Sequence, residues 1–435
     1  MRKTLTTAVI AMGMSAGAWA EAKVAMDTVP ASAESQVTLS NWSAQPYNHW
    51  SFKNAGIHPS LMVPRGGNIS EIPQALNDAV PNFAFDFDGQ NYTVRSAMMG
   101  DDTDGVVVIK DGKIVYEEYF NGFGPHDHHI WASSTKTLVG QVMGLLIEEG
   151  LVSDTAKVET YLPELKGTHF GDRTVRDILN MVSALDYNED YVNFEPGQIS
   201  TEYFRRLGFV PAFDLMALDP TKSDTPRGIL QLLPQFEQTE AFEPGYKFEY
   251  HSPNVDVAGW IISRVTGKPL HTVISEKVWS KLGAEHDAFM AADVGFNAIA
   301  TGGFNTTLRD FARVGIAMAD NGAYNGEQVF SEKWVKESFM LTDEEKEHVA
   351  KSNYKDPNSP AYDPWLEGYK NYLWVHDSEK GIATFRGVFG QHLYINKDKD
   401  VVIATFSSAE SASNAVRSTN KPRLAAFDAI AEQLK

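Results

Sequence analysis

The sequence predicts an α/β (α+β) fold: one mostly antiparallel sheet drawn from both ends of the chain, with a helical region inserted between them. Three observations carry this. Early in the chain, two β-branched runs, Val106 to Ile109 and Ile114 to Tyr116, flank Asp111-Gly112, the strongest short-range hairpin signal. Late in the chain, strand patterns return at Tyr372 to Val375, His392 to Ile395 and Val401 to Phe406, with the polar run 396–400 as the turn between the last two. Between these ends lie helical and turn patterns, including Thr174 to Met181, Asn254 to Val265 and Leu308 to Asn321.

In chain order, residues 1–20 read as a secretory signal peptide. Arg2 and Lys3 form a basic start, Leu5 to Ala16 is apolar or small, and Ala18-Trp19-Ala20 is a small-x-small cleavage site. The expected location is therefore periplasmic or secreted, and no other run approaches the ~20 apolar residues of a spanning helix. The mature chain, 21–435, is read as one domain, with sheet parts at about 21–132 and 370–435 and a helical part at about 133–369. From Glu21 to about Val94 the pattern is irregular, with Trp42, Tyr47, Trp50 and Phe52 scattered through it; we read it as an arm packed on the body. Long loops rich in Pro, Gly and acidic residues occupy 192–245 and 351–365, and a last helix covers about Arg423 to Leu434.

The 435 residues are 43% hydrophobic and 22% charged, which suits a globular enzyme with a substantial core. There is no cysteine, so disulfides and a thiol nucleophile are excluded. The formal charge is −19, and losing Arg2 and Lys3 with the leader makes it −21. That balance argues against nucleic acid and anionic membranes as partners. The expected partner is a small-molecule or short peptide-like substrate, with no membrane anchor and no cofactor.

The chemistry starts at Trp131-Ala132-Ser133-Ser134-Thr135-Lys136. The apolar helix that follows is expected to run to Glu149 and stop at Gly150. Positions i and i+3 share a helix face, so Ser133 and Lys136 project side by side. A serine hydroxyl becomes a nucleophile when a neighbouring base takes its proton, and a lysine with a lowered pKa can do so. Free N–H groups at the helix start suit a developing oxyanion. The same spacing recurs at Ser352 to Lys355 and Ser418 to Lys421, both in polar loops that open no apolar helix. Gly13 to Gly17 matches Gly-x-Ser-x-Gly but lies in the leader. The plain alternative for Ser133 is a helix N-cap.

A second motif runs Pro244-Gly245-Tyr246-Lys247-Phe248-Glu249-Tyr250-His251-Ser252 ahead of another apolar helix. A tyrosine there can point its phenol into a cleft and, with its pKa lowered by an ammonium, serve as acid and base; the alternative is a half-buried phenol bonded to backbone. His126, His128 and His129 invite a metal reading, but no partner cluster follows at ligand spacing, so no metal is expected.

Together, Ser133-x-x-Lys136 and Pro-Gly-x-x-Phe-x-Tyr250-x-Ser resemble the serine β-lactamase and penicillin-binding superfamily, in its class C-like branch of esterases, D-aminopeptidases and 6-aminohexanoate-oligomer hydrolases. Leu185 to Tyr191 and Asp256 to Trp260 point to the nylon-oligomer hydrolases. The resemblance spans roughly 100 to 410. It implies a β-lactamase/DD-peptidase-like fold with the site where sheet and helical parts join. It also implies Ser133 as nucleophile, Lys136 as activating amine and Tyr250 as acid/base. Tyr191, in Tyr191-Val192-Asn193, is a rival for the tyrosine role or a substrate contact. Penicillin-recognising members carry Lys-Thr-Gly or His-Thr-Gly on an edge strand. Here the region reads Phe385-Arg386-Gly387-Val388-Phe389-Gly390-Gln391. The N–H of Val388 would complete an oxyanion hole with that of Ser133, while Arg386 and Gln391 would contact substrate. The implied function is an exported serine hydrolase of amides or esters. The alternatives are D-peptidase or β-lactamase activity, a peptidoglycan-binding protein, and, more remotely, a metallohydrolase on the three histidines.

Overall fold

The structure, a computed structural model, describes residues 25–191, 194–209, 228–412 and 420–434. Its centre is a seven-stranded antiparallel sheet in the order Gly368–Lys370, Leu373–Asp377, Ile382–Gly387, Gln391–Asn396, Val401–Ser407, Thr103–Lys110, Lys113–Tyr119. The expected hairpin turns at Asp111 and Gly112, whose φ values of 50° and 71° are those a tight two-residue hairpin demands. Its first strand pairs with Val401–Ser407, Val401 against Lys110 and Thr405 against Val106. The two ends of the chain thus meet in one sheet. Ile382–Gly387 is an interior strand, held between Leu373–Asp377 and Gln391–Asn396.

Both faces of this sheet are covered, which explains why its strands read as continuous apolar runs instead of alternating ones. Val107, Ile109, Val402 and Ala404 join the main core with Phe311 and Val314 of the helix Leu308–Ala319. Val106, Val108, Val401 and Ile403 face the other way, onto Ala426, Phe427 and Ile430 of the helix Asn420–Gln433 and Ala97 and Met98 of Val94–Met99. On the main-core side runs Thr135–Glu148, buried almost all round, and against it packs Pro253–Thr266. Glu149, at the unfavourable end of the first helix, is paired with Lys277 at 2.6 Å, an account the sequence could not supply.

A second, four-stranded sheet orders Ser60–Val63, Ala288–Ala291, Phe304–Thr306 and His129–Ile130. It crosses the boundary drawn from sequence, taking two strands from the expected sheet part and two from the expected helical part. The helix Ile199–Leu207, inside the stretch read as loop, buries Tyr203, Phe204 and Leu207. The N-terminal arm is anchored at Asn48, whose Nδ2 donates to Ser408 O and Ala409 O at 3.0 Å each. Residues 1–20, the expected leader, lie outside the described residues.

Candidate active site

The small sheet delivers the chain to Ser133. His129 and Ile130 pair with Thr306 and Asn305. Trp131 then pins the turn, its N–H donating to Phe304 O at 2.8 Å and its indole to Thr306 Oγ1 at 2.7 Å. Ala132 follows with φ 46°, a left-handed conformation that costs an alanine energy and turns the chain sharply. Ser133 sits in a short 3-10 turn, Ala132–Ser134, and not on the α-helix itself. The N-cap is Ser134, with no side-chain capping bond, so the capping alternative for Ser133 does not hold.

Lys136, in the first turn of Thr135–Glu148, is 1% exposed. Its Nζ is 2.9 Å from Ser133 Oγ and donates to Thr301 O at 2.6 Å. Burial lowers its pKa to about 8, against the opposing pull of the negative charges of Glu189 and Asp256. Asp256 is itself buried on Pro253–Thr266, its carboxyl pushed up by that burial, and accepts the Tyr203 hydroxyl at 2.5 Å.

The Tyr250 side chain interacts with that of Ser133, and its ring lies 5.2 Å from Lys136 Nζ. Burial raises its pKa well above the ordinary value. The sequence reading allowed a phenolate stabilised by a nearby ammonium; here desolvation wins and the phenol keeps its proton. Tyr191 lines the same cavity, but its hydroxyl donates to Glu189 at 2.7 Å. Glu189 also accepts from Ser252 N at 2.8 Å and Ser252 Oγ at 2.5 Å, tying the Tyr191 loop to the start of the helix Pro253–Thr266. Glu189, Asp256 and Thr301 were not singled out from sequence. The first two lay inside stretches already matched to a family, but nothing local separates a carboxylate near an amine from one on the surface.

The strand Ile382–Gly387 brings Val388 to the cavity wall. A Cβ on Gly387 would meet Trp131 O at 2.4 Å, so only glycine lets this strand lie against the serine turn. Among the described residues neither the Ser133 N–H nor the Val388 N–H is donated to a protein acceptor. Two residues are placed differently from expectation. Arg386 does not line the cavity: it donates to Asp363 at 2.6 Å and Thr384 at 3.1 Å, sits 3.1 Å from His376 Nε2, and stacks 4.8 Å over the Trp374 ring. Gln391 is wholly buried, its amide bonded to Ser407 O, Ser407 N and Val388 O at 2.7, 3.0 and 3.2 Å. With its hydrogen bonds satisfied internally it fixes the Val388 turn instead of facing substrate.

The histidines each have other surroundings. His129 is buried against Asp104, His128 Nε2 donates to Asp287 O at 2.6 Å, and the His126 ring lies near His286. Among the described residues no group of three or more His, Cys, Asp or Glu side chains could hold a metal.

Comparisons with known proteins find relatives over most of the chain. The sequence profile of the Beta-lactamase family matches residues 95–426. A 6-aminohexanoate-dimer hydrolase from Paenarthrobacter ureafaciens is 31% identical over 383 residues, 87% of this chain and 90% of that one. A candidate 6-aminohexanoate-dimer hydrolase of known structure from Bacillus anthracis superposes with a TM-score of 0.77 at 27% identity, over 91% of this chain and 97% of that one. A family VIII carboxylesterase, at 17% identity and a TM-score of 0.52 over 77% and 96%, shares the fold.

Proposed function

This chain belongs to the beta-lactamase family and is a serine hydrolase of it, and on that premise we propose that it cleaves linear amide or ester bonds through an acyl-enzyme on Ser133. The supporting observation is the Ser133 hydroxyl 2.9 Å from a wholly buried lysine amine. In its neutral form Lys136 takes the hydroxyl proton as Ser133 Oγ attacks the carbonyl. The N–H groups of Ser133 and Val388 hold the oxyanion. Tyr250, protonated and beside Ser133, relays a proton to the departing amine or alcohol. Water then attacks the ester carbonyl by the reverse proton path and frees Ser133.

The commitment of Arg386 to Asp363 supports a linear substrate over a β-lactam, because it leaves the cavity without the cation that meets a β-lactam carboxylate. The leader-like residues 1–20 support export to the periplasm or medium, with Glu21 as the mature start. Incubation with a fluorophosphonate, followed by peptide mapping, tests the nucleophile: one adduct on Ser133, absent from Ser133→Ala, is expected. A label on another serine, or none, overturns the assignment.

A further inference from the structure

The C-terminal helix Asn420–Gln433 carries an arginine that takes no part in the proton transfers above. Arg423 is 0% exposed, and Asp101, 1% exposed, faces its Nη2 at 3.1 Å. The same guanidinium donates to His392 Nδ1 at 2.9 Å, to Asn420 Oδ1 at 3.2 Å and, through Nη1, to Ser407 Oγ. His392 and Ser407 stand on the neighbouring strands Gln391–Asn396 and Val401–Ser407. Burying two charges costs several kcal/mol for each, and apolar side chains of the same volume would join a helix to a sheet at lower cost. The placement of this guanidinium therefore calls for a reason beyond adhesion.

What the guanidinium packs against is the second observation. The strand Ile382–Gly387 gives way to Val388-Phe389-Gly390, where Phe389 has φ 61° and Gly390 φ 97°. A phenylalanine in the left-handed region is strained and persists only where its surroundings hold it. Here Ala409 N–H donates to Phe389 O and Phe389 N–H donates to Ala412 O, each at 3.2 Å. Gln391 links Val388 O to the backbone N–H and carbonyl of Ser407. A Cβ on Gly390 would meet Arg423 Nη2 and Nη1 at 2.8 and 2.9 Å and Ser407 Cβ at 2.9 Å. The flat guanidinium is thus the floor of the turn: it lies directly against Gly390 and is bonded to the serine whose backbone holds Gln391.

We infer that Arg423, held by Asp101, is a positioning residue for the proposed oxyanion turn, fixing the Val388 N–H through Gly390, Ser407 and Gln391. The inference rests on the acyl-enzyme reading above and adds what keeps its second oxyanion donor in place. Arginine suits the task because its planar fork meets several acceptors at fixed angles, whereas a lysine ammonium is a point charge on a flexible stem. A displacement of about 1 Å in a group that meets the transition state can cost on the order of 10²-fold in rate. A floor that shifts is therefore felt at Ser133 without touching it.

The experiment compares the mature protein with Arg423→Lys, which keeps a charge for Asp101 and loses the fork. Arg386→Met, which breaks a separate ion pair with Asp363, is the control for lost stability. Each is assayed on p-nitrophenyl acetate at a temperature where circular dichroism shows it folded. Acylation and deacylation both pass through an oxyanion, so both slow together: kcat of Arg423→Lys is expected to fall about 10- to 100-fold with KM within a few-fold. The acid limb of its pH profile is expected to stay in place, because Lys136 is untouched. Arg386→Met is expected to keep kcat within a few-fold. Should Arg423→Lys fail to fold, Ser407→Ala carries the test, removing the acceptor hydroxyl and leaving the Asp101 pair; its kcat is expected to fall roughly 10-fold. A folded variant of either kind with kcat within a few-fold of wild type overturns the inference. So does an equal fall for Arg386→Met, or an acid limb that moves with the plateau. Fluorophosphonate labelling of wild-type Ser133 is run alongside. With the label present, an unaffected variant sinks only this inference; its absence removes the acyl-enzyme reading beneath it.

Discussion

Lys136 and Tyr250 flank Ser133, the amine 2.9 Å from its hydroxyl and 5.2 Å from the phenol ring, and burial moves their proton equilibria in opposite directions. Desolvation disfavours whichever form is charged: it lowers the ammonium toward neutrality and holds the phenol protonated. In the proposed mechanism that division supplies a base and an acid at one pH.

The pH dependence follows with a definite sign. In the proposed mechanism the working form of Lys136 is the neutral amine, whose fraction grows as pH rises through about 8. Activity on a neutral ester is therefore lost as pH falls below that value. No alkaline decline is expected up to about pH 10, because burial keeps Tyr250 protonated beyond it. A kcat/KM profile between pH 5.5 and 10 checks this; a bell centred below pH 7 contradicts it.

Asp256 acts on Lys136 through its charge, which favours the ammonium. Asp256→Asn removes that charge, so the acid limb should move to lower pH with the same plateau shape. A variant that merely loosened the helix Pro253–Thr266 would lower the plateau and leave the limb in place. Comparing the two profiles separates these outcomes.

Tyr250→Phe keeps the ring against Trp374, 5.2 Å away, and removes the proton relay. Its kcat should fall by roughly 10²–10⁴ while fluorophosphonate still labels Ser133, since phosphonylation needs no protonated amine or alcohol to leave. Pre-steady-state ester turnover reads the difference.

Gly387→Ala places a methyl where Trp131 O stands at 2.4 Å. The strand end must retreat from the serine turn and take Val388 with it. Losing an oxyanion donor costs on the order of 10²–10³ in kcat, with KM changed far less. Steady-state kinetics at a temperature below the melting transition check it.

Arg386→Met breaks the pair with Asp363, whose side chains are 13% and 12% exposed. Leaving Asp363 without its cation should cost about 3 kcal/mol, read as a lowered midpoint in denaturant unfolding. Ester turnover of the folded fraction should hold within a few-fold, since this guanidinium lies outside the cavity.

Much of this was legible along the chain. Asp111-Gly112 between β-branched runs defined a hairpin because only a few residues tolerate its backbone angles. Ser133 and Lys136, three apart, were bound to lie near each other in any helical turn. Tyr250 could be named because it stands in a contiguous motif. What the sequence left open depends on distance through space. Arg386 and Gln391 looked available for substrate because their partners, Asp363 and Ser407, lie 23 and 16 positions away, and no periodicity links them. Where the two phenols lie also depends on packing: Tyr191 donates to Glu189, while Tyr250 lies beside Ser133. The direction of each pKa turned on burial, which is a property of the packed molecule. The cavity wall from Trp42 to Phe389 joins segments hundreds of residues apart. Local propensity and short motifs marked the elements and the candidate reacting groups; long-range packing alone decided which charges are neutralised and which protons burial holds.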